Sequence, residues 1–486
     1  MLKQYNTGVL IKMSGKNYKL TLKKLAKQII GLNEEVMLLD GSKKRYINFD
    51  NAASTPALLP VQKKVGEFLK WYSNVHRGTG FKSQLSSWVF EEARNIIADF
   101  VKADDHCCVI FCKNTTEAIN KLSSRFQCPA LDKERPIVLT TIMEHHSNEL
   151  PWRKVARVIH IELNPDGTVN KNDFYGKLKK YAGKIQLVAI SGASNVTGYI
   201  NPIQEFARKV HEVGAQIAVD AAQLAPHRPI DIKPKNDPEH IDYLSFSAHK
   251  MYAPYGIGVL VADKSAFMFG TPDDVGGGTA DIVDLESAYW KDLPEREEAG
   301  TPDIIGVVAL AEVIKLIQKI GFDQIIKHET KLTRYALKRL NEIPEIIIYG
   351  DRNPKNAHNR LGVISFNIKG MHHALVSAIL SYEGGIGVRN GCFCAHPYVK
   401  CLLGVTPEDA KRIEQMIINR DRSEVPGAVR ISFGIYNTKE EIDELIVMLQ
   451  KIIKREYKGK YILDKERGEY YPEGFEFKFK EFFDFD

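Results

Sequence analysis

The sequence predicts an α/β protein, with a mostly parallel sheet covered by helices on both faces and a smaller α+β domain after it. Three observations predict this fold. From about residue 45, short apolar runs alternate with segments of helical period. Those runs are apolar throughout, as expected of strands buried on both faces. After about residue 305 the pattern changes to a long helix followed by more widely spaced strands and helices.

The elements of the larger domain are predicted in chain order. Its strands cover residues 108–112, 136–141, 186–190, 216–219, 243–246 and 256–261. Helices are predicted between them at 85–101, 116–126 and 203–213. In sheets of this kind, ligands bind beyond the carboxyl ends of the strands.

The smaller domain is predicted from a helix at 305–320, strands at 362–368 and 429–433, and helices at 372–382 and 439–453. The domain bounds we expect are 46–305 for the larger domain and 306–470 for the smaller one, with segments 1–45 and 471–486 outside them.

Both terminal segments carry a pattern of their own. Residues 20–32 place apolar side chains on one helical face, and we expect this helix to pack on the smaller domain; they are Leu22, Leu25, Ala26, Ile29 and Ile30. The lysine-rich start also allows a targeting segment, although such segments favour arginine. Near the other end, Phe475, Phe477 and Phe479 alternate with strand period, which suits an edge strand, a partner-binding tail or a tail lying on the chain's own surface.

Composition excludes several classes of function. The net charge of +6 is the small difference between 67 basic and 61 acidic residues, and no basic stripe suggests nucleic-acid binding. No apolar run is long enough to span a membrane. Seven cysteines in so long a chain favour reduced thiols in a cytoplasmic protein over a disulfide framework, and their spacing with histidine predicts no metal site.

The strongest chemical signal is Ser247-Ala248-His249-Lys250, which follows an apolar strand. A lysine desolvated at a strand end has a lowered pKa and becomes a nucleophilic amine. Thirty residues upstream, another strand ends at Asp220, with Gln223 in the next turn. A carboxylate there can pair with a protonated ring nitrogen. Taken singly, a surface lysine and a helix-capping aspartate fit these positions as well.

Two further polar clusters follow predicted strands. Asn114-Thr115-Thr116-Glu117 stands at a helix start, where hydroxyl and amide groups bind anions or simply cap the helix. Glu144-His145-His146-Ser147-Asn148 offers a histidine that can stack on a ring or move protons. Two adjacent histidines in an extended segment cannot both face one site.

In chain order, these motifs resemble those of the class V enzymes that use pyridoxal phosphate (PLP), particularly the SUF-type (group II) cysteine desulfurases and selenocysteine lyases. The resemblance runs from about Ile47 to Met448 and includes further stretches that match in family order: residues 46–53, 74–78, 151–152, 194–198, 298–302, 389–397, 430 and 436–438. It implies PLP fold type I, with a mostly parallel sheet of the seven-stranded type.

The resemblance also implies roles for individual residues. Lys250 would hold PLP as a Schiff base, His145 would stack on its ring, and Asp220 would pair with the ring nitrogen. The ring oxygen and the phosphate would be bound by a further set: Asn195 and Gln223 for the oxygen, and Thr115, Thr116, Ser247 and His249 for the phosphate. Thr301 would reach the phosphate of a neighbouring subunit, which implies a homodimer. Arg430, with Arg389 near it, would bind the substrate carboxylate.

The segment Arg389-Asn390-Gly391-Cys392-Phe393-Cys394-Ala395-His396-Pro397 bears on the reaction. Cys394 matches the position of the thiol that takes sulfur from the substrate in group II desulfurases, leaving a persulfide and alanine. We expect Cys392 to be a packing residue, together with Cys107, Cys108, Cys112 and Cys128. Arg389 and His396 are hypothesised to favour the Cys394 thiolate.

Other functions stay open at this level. Selenocysteine lyases, class V aminotransferases and epimerases share the cofactor pocket, and Gly-Cys-Phe-Cys also resembles molybdenum-cofactor sulfurases. A non-catalytic sulfur-assembly partner is a further alternative. The loop after Gly78 departs from the group II pattern, since Thr79-Gly80-Phe81 replaces a segment containing histidine. A protein sulfur acceptor is a possible partner of the expected enzyme.

Overall fold

A computed structural model describes residues 20–76, 78–126 and 135–485. The chain begins there with a short helix α1 and three short strands, followed by two longer helices; in order they are α1 Leu22–Ala26, β1 Glu35–Met37, β2 Lys43–Arg45, β3 Ile47–Asn48, α2 Leu59–Leu69 and α3 Phe81–Val101. β1 and β2 pair antiparallel.

Seven strands form the central sheet, and four helices lie between them in the chain. They are β4 Cys107–Cys112, α4 Thr115–Ser124, β5 Ile137–Thr141, α5 Leu150–Val155, β6 Arg157–Ile161, α6 Lys171–Lys180, β7 Ile185–Ser191, α7 Ile203–His211, β8 Gln216–Asp220, β9 Tyr243–Ser247 and β10 Gly258–Asp263. Every residue of β4, β5, β9 and β10 is buried, which explains why these strands are mainly apolar on both faces.

The strand order is β4-β10-β9-β8-β7-β5-β6. β10 runs antiparallel to both β4 and β9, whereas the pairs from β9 to β6 are parallel. The carboxyl ends of the parallel strands therefore meet at one edge. This topology confirms the predicted fold class, a mostly parallel sheet of seven strands flanked by helices.

The rest of the chain forms an antiparallel hairpin, two long helices and a second, smaller sheet. The elements are β11 Ala280–Val283, β12 Ala288–Trp290, α8 Ile304–Ile320, α9 Phe322–Asn341, β13 Ile346–Tyr349, β14 Val363–Ile368, α10 His373–Gly384, β15 Ile386–Gly387, β16 Arg389–Gly391, α11 His396–Leu402, α12 Pro407–Ile418, β17 Ala428–Ser432, α13 Lys439–Ile453, β18 Tyr461–Asp464 and β19 Glu469–Pro472. The smaller sheet has the order β13-β14-β17-β16, and β18 pairs with β19.

Local signals explain several element ends. α13 begins at a capping box, in which Thr438 and Glu441 satisfy each other's backbone N–H groups. α8 is apolar on most of its surface because it packs into the larger core, and its N-cap Asp303 accepts a hydrogen bond from the Gly306 N–H.

Apolar side chains cluster on both sheets. The larger core surrounds the central sheet, and a smaller one lies between β14, β17, α9, α10 and α13. Segment 47–50 links the two parts of the chain, because β3 pairs with β15 and Asp50 bridges to Ser432. The domain bounds stay a prediction.

The terminal segments form short elements. α1 covers only Leu22–Ala26; its buried side chains join the larger core, and the Leu22 N–H donates to Gln324 Oε1 of α9, so its packing on the smaller domain stays a prediction. In the tail, no strand forms within residues 473–485 and a 3-10 turn covers Phe479–Glu481, so the edge-strand interpretation is wrong. Phe477 stacks on Tyr382 at 5.0 Å, so this part lies on the chain's own surface.

No helix in the described ranges combines the length and apolar character that crossing a bilayer requires.

Candidate active site

A cavity of about 500 Å³ opens at the carboxyl edge of the central sheet. It brings together the predicted site residues with the exception of Thr301: Thr115, Thr116, His145, Asn195, Asp220, Gln223, Ser247, His249, Lys250, Arg389, Cys394 and Arg430. These residues come from both parts of the chain. The larger sheet forms the floor of the cavity, and residues of the smaller part of the chain form its opposite side.

An amine and a carboxylate define the floor. Lys250 ends the 3-10 turn after β9, and burial lowers the pKa of its amine from 10.5 to about 8, although the Asp220 charge opposes this shift. Asp220 ends the adjacent strand β8 and accepts a hydrogen bond from the Ala222 N–H at 2.9 Å. Burial raises the pKa of Asp220 above its ordinary value. A partly neutral amine and a buried acid therefore face one cavity.

Hydroxyl groups line the end of the cavity at the start of α4. The Thr115 N–H donates to Ser247 Oγ at 2.8 Å, and the two hydroxyls lie 2.6 Å apart. Thr116 Oγ1 lies 2.7 Å from the hydroxyl of Ser147. Burial lowers the pKa of His249 to about 4, so its ring is neutral at physiological pH. A helix start with several hydroxyl donors suits a phosphate.

Gly258 permits the close approach of the elements that carry these hydroxyls. It begins β10, and a side chain there would place its Cβ 2.5 Å from the backbone of Asn114. The start of α4 can therefore lie against Ser247 only because position 258 has no side chain.

His145 forms one wall of the cavity, whereas His146 faces elsewhere, as the alternation of an extended segment requires. Burial lowers the pKa of His145 to about 3, and the nearby Lys250 charge acts in the same direction. The Ser147 N–H donates to His145 Nδ1 at 3.2 Å. His145 is therefore held as a neutral ring.

Glu144 fixes the segment that carries His145. Its carboxylate accepts hydrogen bonds from Thr141 Oγ1, Asn148 Nδ2 and the backbone and hydroxyl of Ser191, at distances of 2.6 to 3.0 Å. Burial raises the pKa of Glu144 to about 7. This buried carboxylate is a support for the site rather than part of its lining.

Cys394 lies on a tight turn, residues 392–395, which we call the thiol turn. Phe393 and Cys394 have φ values of 53° and 54°, and the Ala395 N–H donates to Cys392 O at 2.8 Å. Cys394 is exposed and lines the same cavity as Lys250 and Arg430. The turn therefore holds a free thiol at the rim, facing the amine.

Neighbouring residues hold the thiol turn at the cavity rim. Asn195 Nδ2 donates to Phe393 O at 2.8 Å, and the His146 N–H donates to Cys394 O at 2.7 Å. The rings of His146 and His396 are stacked, with 2.9 Å between His146 Nε2 and His396 Nδ1. We call this ring pair the histidine clasp. His396 thus contacts His146, and the hypothesis that it favours the thiolate stays untested.

Asp50 holds both predicted substrate-binding arginines. It accepts a hydrogen bond from Arg430 Nη2 at 2.9 Å, and its other oxygen lies 3.6 Å from Arg389 Nε. Arg430 is buried, and its Nη1 donates to Asn195 O at 3.0 Å. Its Nε has no hydrogen-bond partner among the described residues. Arg430 thus keeps a free donor, whereas half-exposed Arg389 stands at the rim.

The amides of Asn195 and Gln223 are partly engaged. Gln223 Nε2 donates to Ala52 O at 2.6 Å, in addition to the bond from Asn195 to the thiol turn. Each side chain was predicted to bond a ring oxygen, and the amide nitrogen of each already donates one hydrogen bond that positions the cavity wall.

Thr301 lies apart from the other predicted residues. It lines a second cavity of about 220 Å³, together with Asn74, His76 and Glu295. Thr301 does not line the main cavity of its own chain. Its predicted contact with the phosphate site of a neighbouring subunit stays a prediction.

Sequence reasoning gave no role to Asp50, Ser147 or Glu144, although each falls within a stretch that was matched to the family. The signal for Asp50 was its place in Asn48-Phe49-Asp50-Asn51. Its partners lie about 340 and 380 positions along the chain, so spacing alone gives no hint of the contacts.

The donor set fits the cofactor that the resemblance implies. PLP presents an aldehyde, a ring nitrogen and a phosphate, and the cavity offers an amine at Lys250, a buried carboxylate at Asp220 and the hydroxyls at the start of α4. The cavity volume is that of an ordinary small-molecule site.

Comparison with known proteins places these features in context. Residues 47–445 match the family described as Aminotransferase class-V. The chain is 36% identical to a probable cysteine desulfurase of Halalkalibacterium halodurans, with 88% of this chain and 96% of the relative covered. It is also 36% identical to a probable cysteine desulfurase of Pyrococcus abyssi, over 85% of this chain and 95% of that protein.

Solved structures of cysteine desulfurases are also similar to this chain. An apo cysteine desulfurase from Thermococcus onnurineus superposes with a TM-score of 0.75 at 34% identity, covering 89% of this chain and 98% of that one. The cysteine desulfurase CsdA of Escherichia coli, with an S-sulfonic acid group, has a TM-score of 0.72 at 24% identity, covering 90% and 99%; this likeness concerns the fold.

Proposed function

Since the chain belongs to the class-V aminotransferase family, we propose that it is a PLP-dependent cysteine desulfurase that converts L-cysteine to L-alanine and leaves a persulfide on Cys394. The predicted family is thereby confirmed, whereas its SUF-type subgroup stays a prediction. The observation that carries the proposal is the exposed thiol of Cys394, which faces the buried amine of Lys250 across one cavity.

Lys250 would hold PLP through Nζ, Asp220 would face the ring nitrogen, and His145 would cover the ring. Thr115, Thr116, Ser247 and His249 would hold the phosphate, and Asn195 and Gln223 would lie at the ring oxygen. When bound, PLP supplies an aldehyde for the substrate amine and a ring that accepts the electrons left when the Cα–H bond breaks.

The chain's own groups would carry the other steps. Arg430 lines the cavity and would bind the substrate carboxylate through its guanidinium, with Arg389 at the entrance. The amine of Lys250, with its pKa of about 8, can take the α-proton at neutral pH and return it. Cys394, as thiolate, attacks the substrate sulfur, the C–S bond breaks, and the sulfur stays on Cys394.

The assembly we propose is a cytoplasmic homodimer in which Thr301 of one subunit reaches the phosphate site of the other. The persulfide at the exposed rim would then pass to a protein sulfur acceptor. Exposure of Cys394 and the separation of Thr301 from the main cavity support this arrangement.

The test is incubation of the PLP-loaded protein with cysteine and a thiol reductant, with alanine and sulfide measured together. Both products should form in equal amounts, and Lys250→Ala should abolish both. Cys394→Ser should lose sulfide formation, whereas Cys401→Ser, a matched change at an exposed cysteine of α11, should behave as the unaltered protein. Full sulfide formation by Cys394→Ser would contradict the proposed role of this thiol.

A further inference from the structure

Cys392 is the second cysteine of the thiol turn, and the proposed function leaves it without a role. With positive φ at both Phe393 and Cys394 and a closing hydrogen bond of 2.8 Å, residues 392–395 form a two-residue turn of the mirror-image type. The two cysteines occupy its first and third positions.

This spacing keeps the two Cα atoms within the range that a disulfide can join, once the side chains turn toward each other. Two trans peptides separate Cα atoms by at most about 7.6 Å, and a tight turn shortens that distance. Disulfides join Cα atoms about 4.4 to 6.8 Å apart.

The surroundings of the two thiols differ sharply. Cys394 is exposed at the cavity rim, whereas Cys392 is 7% exposed and does not line the cavity. Its Sγ donates to Pro426 O at 2.9 Å. Burial raises the pKa of Cys392 to about 11, so it stays a protonated thiol at neutral pH. One turn therefore carries a reactive thiol and a protected one.

We propose that Cys392 is a resolving thiol, which attacks the persulfide of Cys394 when no external acceptor takes the sulfur. Cys392 Sγ bonds to the inner sulfur of Cys394, the bond between the two sulfurs of the persulfide breaks, and the outer sulfur leaves as hydrosulfide. The proton lost by Cys392 goes to that hydrosulfide. One S–S bond replaces another, so no outside oxidant is needed, and a thiol reductant returns the Cys392–Cys394 disulfide to two thiols.

The hydrogen bond to Pro426 makes this step slow. Cys392 must leave that carbonyl and lose its proton before it can attack, and only a small fraction of a thiol with so high a pKa is ionised at neutral pH. An acceptor at the exposed rim therefore takes the sulfur first. Without one, the turn releases sulfide and is left as a disulfide, which a thiol reductant can reverse.

The test rests on the proposed function and uses the full-length, PLP-loaded protein, reduced and then freed of reductant. One equivalent of cysteine is added, and alanine, sulfide and intact mass are followed. We expect alanine first with a protein about 32 Da heavier, then sulfide with a protein about 2 Da lighter than its reduced form. Peptide mapping should find the Cys392–Cys394 disulfide.

Cys392→Ser should form alanine, keep the heavier mass and release at least tenfold less sulfide in the same time. Cys401→Ser, the matched control, should release sulfide like the unaltered protein. The proposal is overturned if the unaltered protein keeps its persulfide, or if Cys392→Ser releases sulfide at the same rate. Absence of alanine would instead overturn the proposed function, so the two failures are distinguishable. The mapped disulfide requires no variant and tests the proposal even if Cys392→Ser does not fold.

Discussion

The amine of Lys250 sits in surroundings that favour its neutral form. Burial lowers its pKa from 10.5 to about 8, and no ion pair offsets that burial among the described residues, although Asp220 acts in the other direction. A buried lysine without a close partner destabilises a fold unless it has a chemical use. The sequence predicted this position from the apolar strand before it.

Lys250→Met should stabilise the PLP-free protein at neutral pH. The folded state disfavours the charged amine, so burial of Lys250 lowers the free energy of unfolding. This destabilisation is fully present below pH 8 and disappears as the pH rises to 10.5, where the amine of the unfolded chain also becomes neutral. The gain in the free energy of unfolding should be about 3 kcal/mol at pH 7 and roughly 1 kcal/mol at pH 9.5. Urea unfolding of both proteins at the two pH values measures it, and an equal gain at both would contradict this origin.

The guanidinium of Arg430 is the second residue with an unusual environment. It is buried and paired with Asp50, and its Nε has no hydrogen-bond partner among the described residues; a planar guanidinium can bond several acceptors in this way. The sequence predicted a substrate contact here but not its partner Asp50, because the two lie far apart in the chain.

Arg430→Lys should raise the KM for cysteine by roughly tenfold to a hundredfold, since a lysine cannot bond Asp50, Asn195 O and a carboxylate at once. The absorbance of bound PLP should stay unchanged, because Arg430 has no proposed contact with the cofactor. Arg412→Lys, at an exposed arginine of α12, serves as the control. An unchanged KM would exclude Arg430 from substrate binding.

At the scale of elements, the thiol turn is held by contacts from three directions. Its carbonyls accept from Asn195 and from the backbone of His146, and the histidine clasp joins its far side to the segment of His145. The sequence identified Cys394 as the reactive thiol, but the geometry of the turn depends on these distant partners.

His396→Ala should free the thiol turn from the histidine clasp. We expect iodoacetamide to alkylate Cys394 several-fold faster, because the turn samples open positions, and kcat to fall while PLP absorbance persists. His358→Ala, at an exposed histidine, should change neither rate. Alkylation at an unaltered rate would mean that the clasp does not restrain the turn.

Long sequence patterns predicted helices and strands more accurately than short ones. The strand predicted at 243–246 is observed as Tyr243–Ser247, and the helix predicted at 439–453 is Lys439–Ile453, because long apolar periods reflect burial on known faces. Three alternating phenylalanines are too short a pattern to specify a strand. In the structure, Phe477 packs on Tyr382 in an irregular segment instead. The domain on which α1 packs stays a prediction, because an apolar face does not specify its partner.

At the scale of the whole molecule, the site draws on both sheets. The larger sheet supplies Lys250 and Asp220, whereas Arg430 lies in β17 of the smaller sheet and Cys394 in the turn after β16. The sequence predicted both parts and, through motifs in family order, twelve of the residues that line the cavity. Contacts between subunits leave no local pattern, so the place of Thr301 rests on resemblance alone.

Mixed dimers test the proposed exchange of Thr301. Lys250→Ala and Thr301→Glu homodimers should each be inactive, the second because a negative charge repels the phosphate. If Thr301 acts on the neighbouring subunit, a heterodimer of the two variants keeps one intact site and regains about half of the activity per dimer. Light scattering checks that dimers form, and the absence of recovery would show that Thr301 acts within its own subunit.

Gly258 has a consequence for how binding and folding are linked. α4 follows β4 and the turn of Lys250 follows β9, and these strands are not neighbours, because β10 runs between them. The missing side chain lets Thr115 and Ser247 touch over the end of that intervening strand. An anion bound by both residues would connect the ends of three strands. Occupying this site should therefore make it harder for β4 to separate from the edge of the sheet.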